Sequence, residues 1–285
     1  MKKQYEFAGV EIAVTLPEDV EFKENRHLKE FYTEQVMDPY QFILQMKEKL
    51  TEPIGVLETT YPNHCVYRTE TGTIRYIGSV QQSWGNGYIR VDSEGKVHIV
   101  ELKASEYKGS IGGKAILNAI GAEHLVLEKH GVILHASFIE HEGKAILFTA
   151  PSETGKSTQA DLWMKHREAE IINGDRAVIR LIDGKSYACG IPFAGSSQYC
   201  KNATLPLEAI VYLGQAPETS IRKMNFAQAF TRVWEGCTVN TWNQEDLNKA
   251  IDIVQQITMQ TPAYHLQCTP DESAIIALES ELDKL

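Results

Sequence analysis

The residues best suited to chemistry in this sequence are a glycine, a lysine and a serine in succession, Gly155, Lys156 and Ser157. With Ala150 ahead of them, they fit the G/A-x-x-x-x-G-K-S/T pattern of a phosphate-binding loop, the Walker A motif or P-loop. In such a loop, backbone N–H groups and the N-terminus of the following helix surround an anion. The lysine reaches the β- and γ-phosphates, and the serine hydroxyl can bind Mg²⁺. The sequence therefore predicts a nucleotide phosphate site.

The context of the motif favours a true site over a chance match. The apolar run from Lys144 to Thr149 predicts a buried strand, and helix-compatible residues continue from Ser157 to Met164. Ala150 and Glu153 occupy positions where glycine is more usual. Seven consecutive residues are predicted to bind the nucleotide, and Ser157 among them is the predicted metal ligand: Ser152, Glu153, Thr154, Gly155, Lys156, Ser157 and Thr158.

Phosphoryl transfer also needs a carboxylate to orient or deprotonate the acceptor hydroxyl. Asp175 is the best candidate, because it follows the apolar pair Ile171 and Ile172 at a predicted strand end, where open α/β sheets bind ligands. A turn aspartate in Asn-Gly-Asp is an equally good interpretation. His135 lies in an apolar strand, where a lone histidine is more often a core residue than a catalyst. Three arginines could stabilise transferring charge or could lie on the surface: Arg176, Arg180 and Arg222.

The charge, apolar runs and cysteine spacing of the chain argue against several classes of function. The chain has 285 residues and a formal net charge of −10, which argues against a nucleic-acid partner because binding a phosphate backbone needs clustered Lys and Arg. The N-terminus lacks the apolar region of a secretory signal, and no run is long enough to cross a bilayer, so no membrane partner is expected. The 5 cysteines are scattered without metal-binding spacing. Reduced thiols and a cytoplasmic location are therefore predicted.

The spacing of apolar residues divides the chain into a β-rich part, 1–108, and a nucleotide-binding part, 109–285. Within the first part, short β-like segments between Cys65 and Glu101 predict an antiparallel meander, and a helix is predicted from Pro39. A glycine-rich joint at Gly109 to Gly113 precedes a helix predicted over Lys114 to Glu128.

Within the second part, the irregular stretch from Ile191 to Asn202 predicts a functional loop. Asn225 and Asn243 are predicted to cap helices. Strands are predicted over four segments: Val132 to Ile139, Glu170 to Ile182 with a break at Asn173-Gly-Asp175, Leu207 to Leu213, and Tyr264 to Cys268.

Three segments together resemble the HPr kinase/phosphorylase family, whose core is a phosphoenolpyruvate-carboxykinase-like P-loop domain. They are Leu134-His-Ala-Ser, the phosphate loop from Ala150 to Thr158, and Ile171-Ile-Asn-Gly-Asp-Arg. Later segments look like a divergent branch that includes lasso peptide kinases from ribosomal-peptide biosynthesis. The resemblance implies an α/β fold with a mixed sheet, preceded by a smaller β-rich domain.

By this resemblance, Asp175 is a general base, His135 is catalytic or contacts the γ-phosphate, and Lys156 holds the phosphates. Two departures from the family concern acidic residues. Gly174 stands where the family has the first Asp of a pair, which weakens the case for the reverse, dephosphorylating reaction. Ser196 and Ser197 stand where an acidic metal ligand is usual.

The leading hypothesis is a kinase, a transferase that uses ATP and Mg²⁺ to phosphorylate a hydroxyl, such as a Ser of a peptide or small protein. A kinase for a small metabolite, such as a free amino acid, is the alternative within enzymes. A nucleotide-binding module that transfers nothing is the alternative outside them. The β-rich part could also bind a leader peptide, and a homo-oligomer is left open.

Overall fold

The computed structural model describes residues 1–52, 54–61, 64–70, 72–77, 87–91 by their backbone only, 95–107, 109–195 and 197–284. The described chain forms two compact units. The first comprises Met1–Glu6 and Val10–Ala122, and the second comprises Phe7–Gly9 and Glu123–Leu285. The division of the chain into domains 1–108 and 109–285 stays a prediction.

The first unit is rich in strands. Its elements are β1 (Lys2–Phe7), β2 (Val10–Thr15), β3 (Glu21–Lys23), α1 (Arg26–Lys29), β4 (Tyr40–Lys47), β5 (Val56–Tyr61), β6 (His64–Thr69), β7 (Gly72–Ile77), β8 (Gly87–Val91), β9 (Val97–Lys103), α2 (Ala104–Tyr107), β10 (Ser110–Gly112) and α3 (Gly113–Ile120).

One mixed sheet organises this unit, with the strand order β1-β2-β4-β9-β8-β7-β6-β5. Strands β6 to β9 pair antiparallel in sequence order, which confirms the predicted meander. The helix predicted from Pro39 is wrong, because this segment forms β4, parallel to both β2 and β9. Phe42 and Leu44 are buried in alternation, so the period of two set by neighbouring strands overrides the helical spacing.

The helix predicted over Lys114 to Glu128 is also interrupted. It forms α3 and then a second helix from Ala122, because Gly121 between them adopts a left-handed conformation with φ of +62°. A glycine reaches this conformation without steric cost, and it ends α3 there.

The second unit alternates strands and helices. Its elements are α4 (Ala122–Leu127), β11 (Gly131–His141), β12 (Lys144–Thr149), α5 (Lys156–Arg167), β13 (Glu170–Asn173), β14 (Arg176–Ile182), β15 (Lys185–Cys189), β16 (Thr204–Gln215), β17 (Ser220–Lys223), α6 (Phe226–Gly236), β18 (Cys237–Thr238), α7 (Gln244–Gln260), β19 (Ala263–Cys268) and α8 (Ser273–Leu282).

Several strands of this unit end at the same edge of the sheet. Strands β12, β16 and β19 run parallel to one another, and β13 runs in the same direction because it and β12 are both antiparallel to β11. Their C-terminal residues therefore meet at one edge of the sheet. The long strand β11 pairs with β14 through its first half and with β12 through its second. The structure confirms a mixed α/β class with more than one sheet.

Helices cover both faces of this sheet. Trp163 of α5 and Ile275 of α8 pack with Phe148 of β12 on one face. Val233 of α6 and several residues of α7 pack on the other face against Leu147 of the same strand. Because β12 is buried on both faces, its sequence is a nearly continuous apolar run, which is typical of strands inside α/β sheets. The described residues contain no helix that is long and apolar enough to cross a membrane.

A buried carboxylate links α4 to α7 within this unit. Asp246 is 1% exposed, accepts a hydrogen bond from Asn240 Nδ2 at 3.0 Å, and places Oδ1 at 2.9 Å from His124 Nδ1. Burial alone would raise the pKa of Asp246, but the hydrogen bonds from His124 and Asn240 outweigh burial and lower it. The hydrogen bond to Asp246 raises the pKa of His124 in spite of burial, which acts in the opposite direction.

We expect His124→Ala to lower the free energy of unfolding by about 1 kcal/mol or less, since 46% of the His124 side chain stays exposed. The raised pKa of His124 means that its contribution is complete below about pH 6.5 and is lost as the pH rises through the folded value. Urea unfolding should therefore separate variant from wild type more at about pH 5.5 than at about pH 9. An equal separation at both pH values would contradict this linkage.

Candidate functional site

The predicted phosphate loop connects β12 to α5. Lys156 is 8% exposed at the start of α5, and its Nζ donates to the carbonyl oxygens of Ala150 at 3.1 Å and Pro151 at 3.2 Å. The ammonium group thereby joins the two ends of the loop. Burial lowers the pKa of Lys156, and the negative charge of Asp175 partly opposes that shift.

Two residues of the loop have positive φ. Gly155 directly precedes the first residue of α5. Its φ of +110° is a backbone conformation that residues with a side chain rarely adopt. Glu153 has φ of +64°, which costs a non-glycine residue about 1 kcal/mol. The loop thus keeps a glycine-like backbone at a position where the sequence has a glutamate.

The turn that carries Asp175 is fixed by a buried side chain, Asn173, at the end of β13. The amide oxygen of Asn173 accepts from the backbone N–H groups of Asp175 at 2.9 Å and Arg176 at 3.0 Å. Its Nδ2 donates to the carbonyl oxygens of Ile191 and Phe193, both at 3.1 Å. Asn173 is fully buried, so one carboxamide sets both the Asp175 turn and the loop that begins at Ile191.

The predicted functional loop from Ile191 to Asn202 is irregular where it is described, and it packs against Asp175. A Cβ added to Gly195 would lie 2.8 Å from Asp175 Cγ, so only a glycine allows this approach. Similarly, a Cβ added to Gly174 would lie 2.2 Å from Ser197 Oγ. A carboxylate at position 174 would therefore require Ser197 to move. Ser196 lies outside the described residues.

His135 of β11 stands beside Asp175. Its Nε2 lies 3.4 Å from Asp175 Oδ1, and Arg176 Nε lies 3.3 Å from Asp175 Oδ2. Burial lowers the pKa of His135, the nearby Lys156 lowers it further, and Asp175 opposes both. The lowered pKa favours the neutral imidazole, which can donate or accept a hydrogen bond without carrying charge.

A central cavity of about 550 Å³ holds these groups together. Lys156, Asp175 and His135 line it, as do Ser157 and Asp161 of α5. Ser157 and Asp161 are four residues apart, so they share one face of the helix. In the described part of the chain, no three His, Cys, Asp or Glu side chains cluster as a metal site. A magnesium ion held mainly by phosphates needs only one or two protein ligands.

A second cavity of about 610 Å³ is lined by Glu153, Thr154 and Gly155 of the same loop. Leu213, Ala216 and Pro270 supply apolar wall, and Gln159 and Gln215 supply amides. Gln159 belongs to α5, and Leu213 and Gln215 belong to the end of β16. Ala216 follows β16 and Pro270 follows β19, at the edge where the parallel strands end.

The structure brings the predicted site residues together. All seven loop residues line one or both of these cavities, and the central cavity also contains His135 and Asp175. Of the three arginines, Arg180 donates to Lys129 O, and Arg222 contacts Gln228 and His265. Sequence reasoning missed Asp161, although its spacing from Ser157 was a usable signal. It also missed Asn173, whose role depends on contacts distant in sequence.

We expect Gly155→Ala to lower the free energy of unfolding by about 1–2 kcal/mol through φ alone, since the new Cβ would meet no described atom within 4 Å. The sequence predicts that this loop binds the phosphates of a nucleotide, so the same change should weaken ATP binding by distorting the loop. Gly143→Ala is the matched control, because Gly143 has φ of +77° and equally open surroundings on a distant turn. Urea unfolding should show losses in both variants, and calorimetry should show weaker ATP binding only in Gly155→Ala. Equal ATP affinities would contradict the assignment.

We expect His135 to titrate below its ordinary pKa of about 6.5, because burial and Lys156 disfavour its charged form. Lys156→Met removes a neighbouring cation and should raise the midpoint. Asp175→Asn removes a neighbouring anion and should lower it. The measurement is a pH titration of the imidazole by NMR, with the signal assigned from a His135→Gln variant. A wild-type midpoint above pH 6.5 would contradict the burial of this ring.

Comparisons with known proteins give one match in structure and one in sequence family. This chain is similar to the solved structure of the Hpr(Ser) kinase/phosphatase from Coxiella burnetii, with 9% sequence identity and a TM-score of 0.33. The match covers 53% of this chain and 97% of the kinase/phosphatase chain. No curated protein matches this chain in sequence. The family model described as SynChlorMet cassette protein ScmC matches residues 116–269, which is more than half of the chain. The chain therefore belongs to the ScmC family.

Proposed function

We propose that this protein is a kinase that uses ATP and Mg²⁺ to transfer the γ-phosphate to a hydroxyl group. One observation carries the proposal: the phosphate loop and the Asp175 carboxylate, 3.4 Å from His135, line the same cavity at the edge where parallel strands end. A lysine, a carboxylate and a helix N-terminus at one such edge are the groups that phosphoryl transfer requires.

ATP fits the two cavities along the loop. The triphosphate would occupy the central cavity beside Lys156, and the base would occupy the second cavity between Leu213 and Pro270. Gln159 Oε1 is buried in the wall of the second cavity without a hydrogen-bond partner among the described residues. An exocyclic amine of a nucleobase is a group that could satisfy such an acceptor.

Magnesium fits the face of α5 that lines the central cavity. Ser157 would bind the ion through its hydroxyl, and Asp161 offers a carboxylate on the same face. Asp161 would thus replace the acidic residue that is missing near Ser197. When bound, the ion supplies positive charge that neutralises the phosphate oxygens.

Each side chain has a role that follows from its charge. Lys156 would exchange its carbonyl contacts for phosphate oxygens. Asp175 would accept the proton of the acceptor hydroxyl, with its turn held by Asn173. Neutral His135 would orient Asp175 or donate to the transferring group, because a neutral ring adds no opposing charge. The acceptor would lie beside the loop from Ile191 to Asn202, and a Ser of a peptide or small protein is the proposed class.

We expect Asp175→Asn to lower kcat by about 10²–10⁴-fold with little change in ATP affinity, because it removes the proton acceptor and keeps the shape. Lys156→Met should weaken ATP binding and transfer together. The matched control is Asp183→Asn, an exposed turn residue with φ of +49° that asparagine also tolerates. Release of ADP and transfer of labelled phosphate measure the outcome over a panel of peptides and amino acids. Wild-type turnover in Asp175→Asn would refute the assigned base.

A nucleotide-binding module without transfer is the second candidate. The observation in its favour is position 174, where no carboxylate stands and where any Cβ would collide with Ser197. ATP binding by calorimetry, combined with no ADP formed over the whole acceptor panel, would favour this module over a kinase.

A further inference from the structure

A buried hydrogen-bond acceptor lies in the wall of the cavity beside Leu213 and Pro270. Gln159 lines this cavity of about 610 Å³ and is only 3% exposed. Its Oε1 has no hydrogen-bond partner among the residues that the structure describes. Buried polar atoms nearly always have a partner, because an unpaired one loses its hydration and gains no contact in exchange. Such an acceptor at a cavity wall indicates a ligand that brings a donor.

The amide of Gln159 is oriented by a sulfur atom. Its Nε2 donates to Cys268 Sγ at 3.3 Å, and Cys268 also lines the cavity. Since both partners of this hydrogen bond line the cavity, the amide between them lies at its wall. A primary amide has one donor end and one acceptor end, so a contact that holds Nε2 leaves Oε1 as the end for a ligand.

The position of Gln159 matches the edge of a nucleobase. Its backbone N–H donates to Gly155 O at 2.9 Å, so Gln159 lies one helical turn beyond the loop that is predicted to hold the phosphates. Thr154 and Gly155 of that loop line the same cavity. The apolar wall of Leu213 and Pro270 suits the faces of a flat ring. A ring bound there would present its polar edge to the Gln159 amide.

Purines differ in the group that this amide would meet. Adenine carries an amino group at position 6, which donates hydrogen bonds, whereas hypoxanthine and guanine carry a carbonyl oxygen there, which accepts them. A 6-amino group would satisfy Gln159 Oε1. A carbonyl oxygen would face it acceptor to acceptor, and both atoms would lose water without gaining a donor. The N1–H of a 6-oxo purine would reach Oε1 only if the whole ring shifted, which phosphates held in the loop would oppose.

We propose that Gln159 selects nucleotides whose purine carries a 6-amino group, and that the protein thereby discriminates against 6-oxo purine nucleotides. Gln159 is a binding residue in this scheme, and Cys268 is a positioning residue that acts through it. The inference rests on the proposed function for the place of the nucleotide, and it adds the base specificity of that site.

The first test compares three nucleotides that differ at position 6 of the purine. ATP has an amino group there, purine riboside triphosphate has hydrogen, and ITP has a carbonyl oxygen. Calorimetry with Mg²⁺ and without an acceptor measures the Kd of each for the full chain. We expect ATP to bind about 10–100-fold more tightly than ITP, with purine riboside triphosphate between them. ATP binding no more tightly than either analogue would overturn the inference.

Gln159→Met tests the acceptor itself. Methionine has a similar length and no amide, so the Kd values of the three nucleotides should converge. Gln215→Met is the matched control, because Gln215 lines the same cavity with an exposed side chain that keeps its water. It should leave the ratio of the ATP and ITP values as in wild type. Removing an unpaired buried acceptor should keep or raise the urea unfolding midpoint of Gln159→Met, so a wild-type ratio in that folded variant would contradict the role of Gln159.

Cys268 is tested by a loss and a rescue. Cys268→Ala removes the partner of Gln159 Nε2, so the amide can turn either end to the cavity and the preference for ATP over ITP should fall. Cys268→Ser keeps an acceptor at that position and should restore the preference. A merely structural role would move the affinities of all three nucleotides together and leave their ratio unchanged. An unchanged ratio in Cys268→Ala would therefore refute the positioning role.

Binding and transfer measured side by side separate this inference from the proposed function. Phosphate transfer with equal use of ATP and ITP would keep the kinase proposal and overturn base selection. Selective binding of ATP with no transfer over the acceptor panel would support base selection and contradict the kinase. Failure of all three nucleotides to bind would overturn both.

Discussion

The direction of four strands is the constraint on which the site depends. Strands β12, β13, β16 and β19 all run the same way, so their C-terminal ends meet at one edge of the sheet. The phosphate loop follows the first of them and Asp175 follows the second. Helices on both faces bury these strands, which leaves that edge as the place where polar groups can gather.

At that edge, Asn173 fixes the turn that carries Asp175 and the loop that begins at Ile191. The fully buried Asn173 carboxamide makes four hydrogen bonds to backbone groups, two on the Asp175 turn and two on the loop from Ile191. Buried polar groups with every partner present specify one arrangement of the chain, because any other leaves them unsatisfied. The approach of Gly195 to Asp175 shows how closely the two segments are fitted.

Two cavities beside the predicted phosphate loop differ in their walls. The cavity with apolar walls lies toward the ends of β16 and β19, and the central one holds the titratable groups. In the proposed function, a nucleotide base would occupy the first and a triphosphate the second. The β-rich first unit has its own sheet, in which β4 joins β2 to β9, the last strand of the meander, by parallel pairing on both sides. Its part in any activity stays a prediction.

The sequence determined the local features by itself: the strand, loop and helix around Lys156, the strand end before Asp175, the meander, and the caps at Asn225 and Asn243. These features follow from residue spacing and short-range hydrogen bonds, which a short segment of the sequence is enough to predict. Tertiary structure decided the rest. Neighbouring strands turned the segment after Pro39 into β4, and contacts with Ile191 and Phe193 gave Asn173 its place. The physical reason is that these positions depend on partners far away in sequence, whose approach no local pattern encodes.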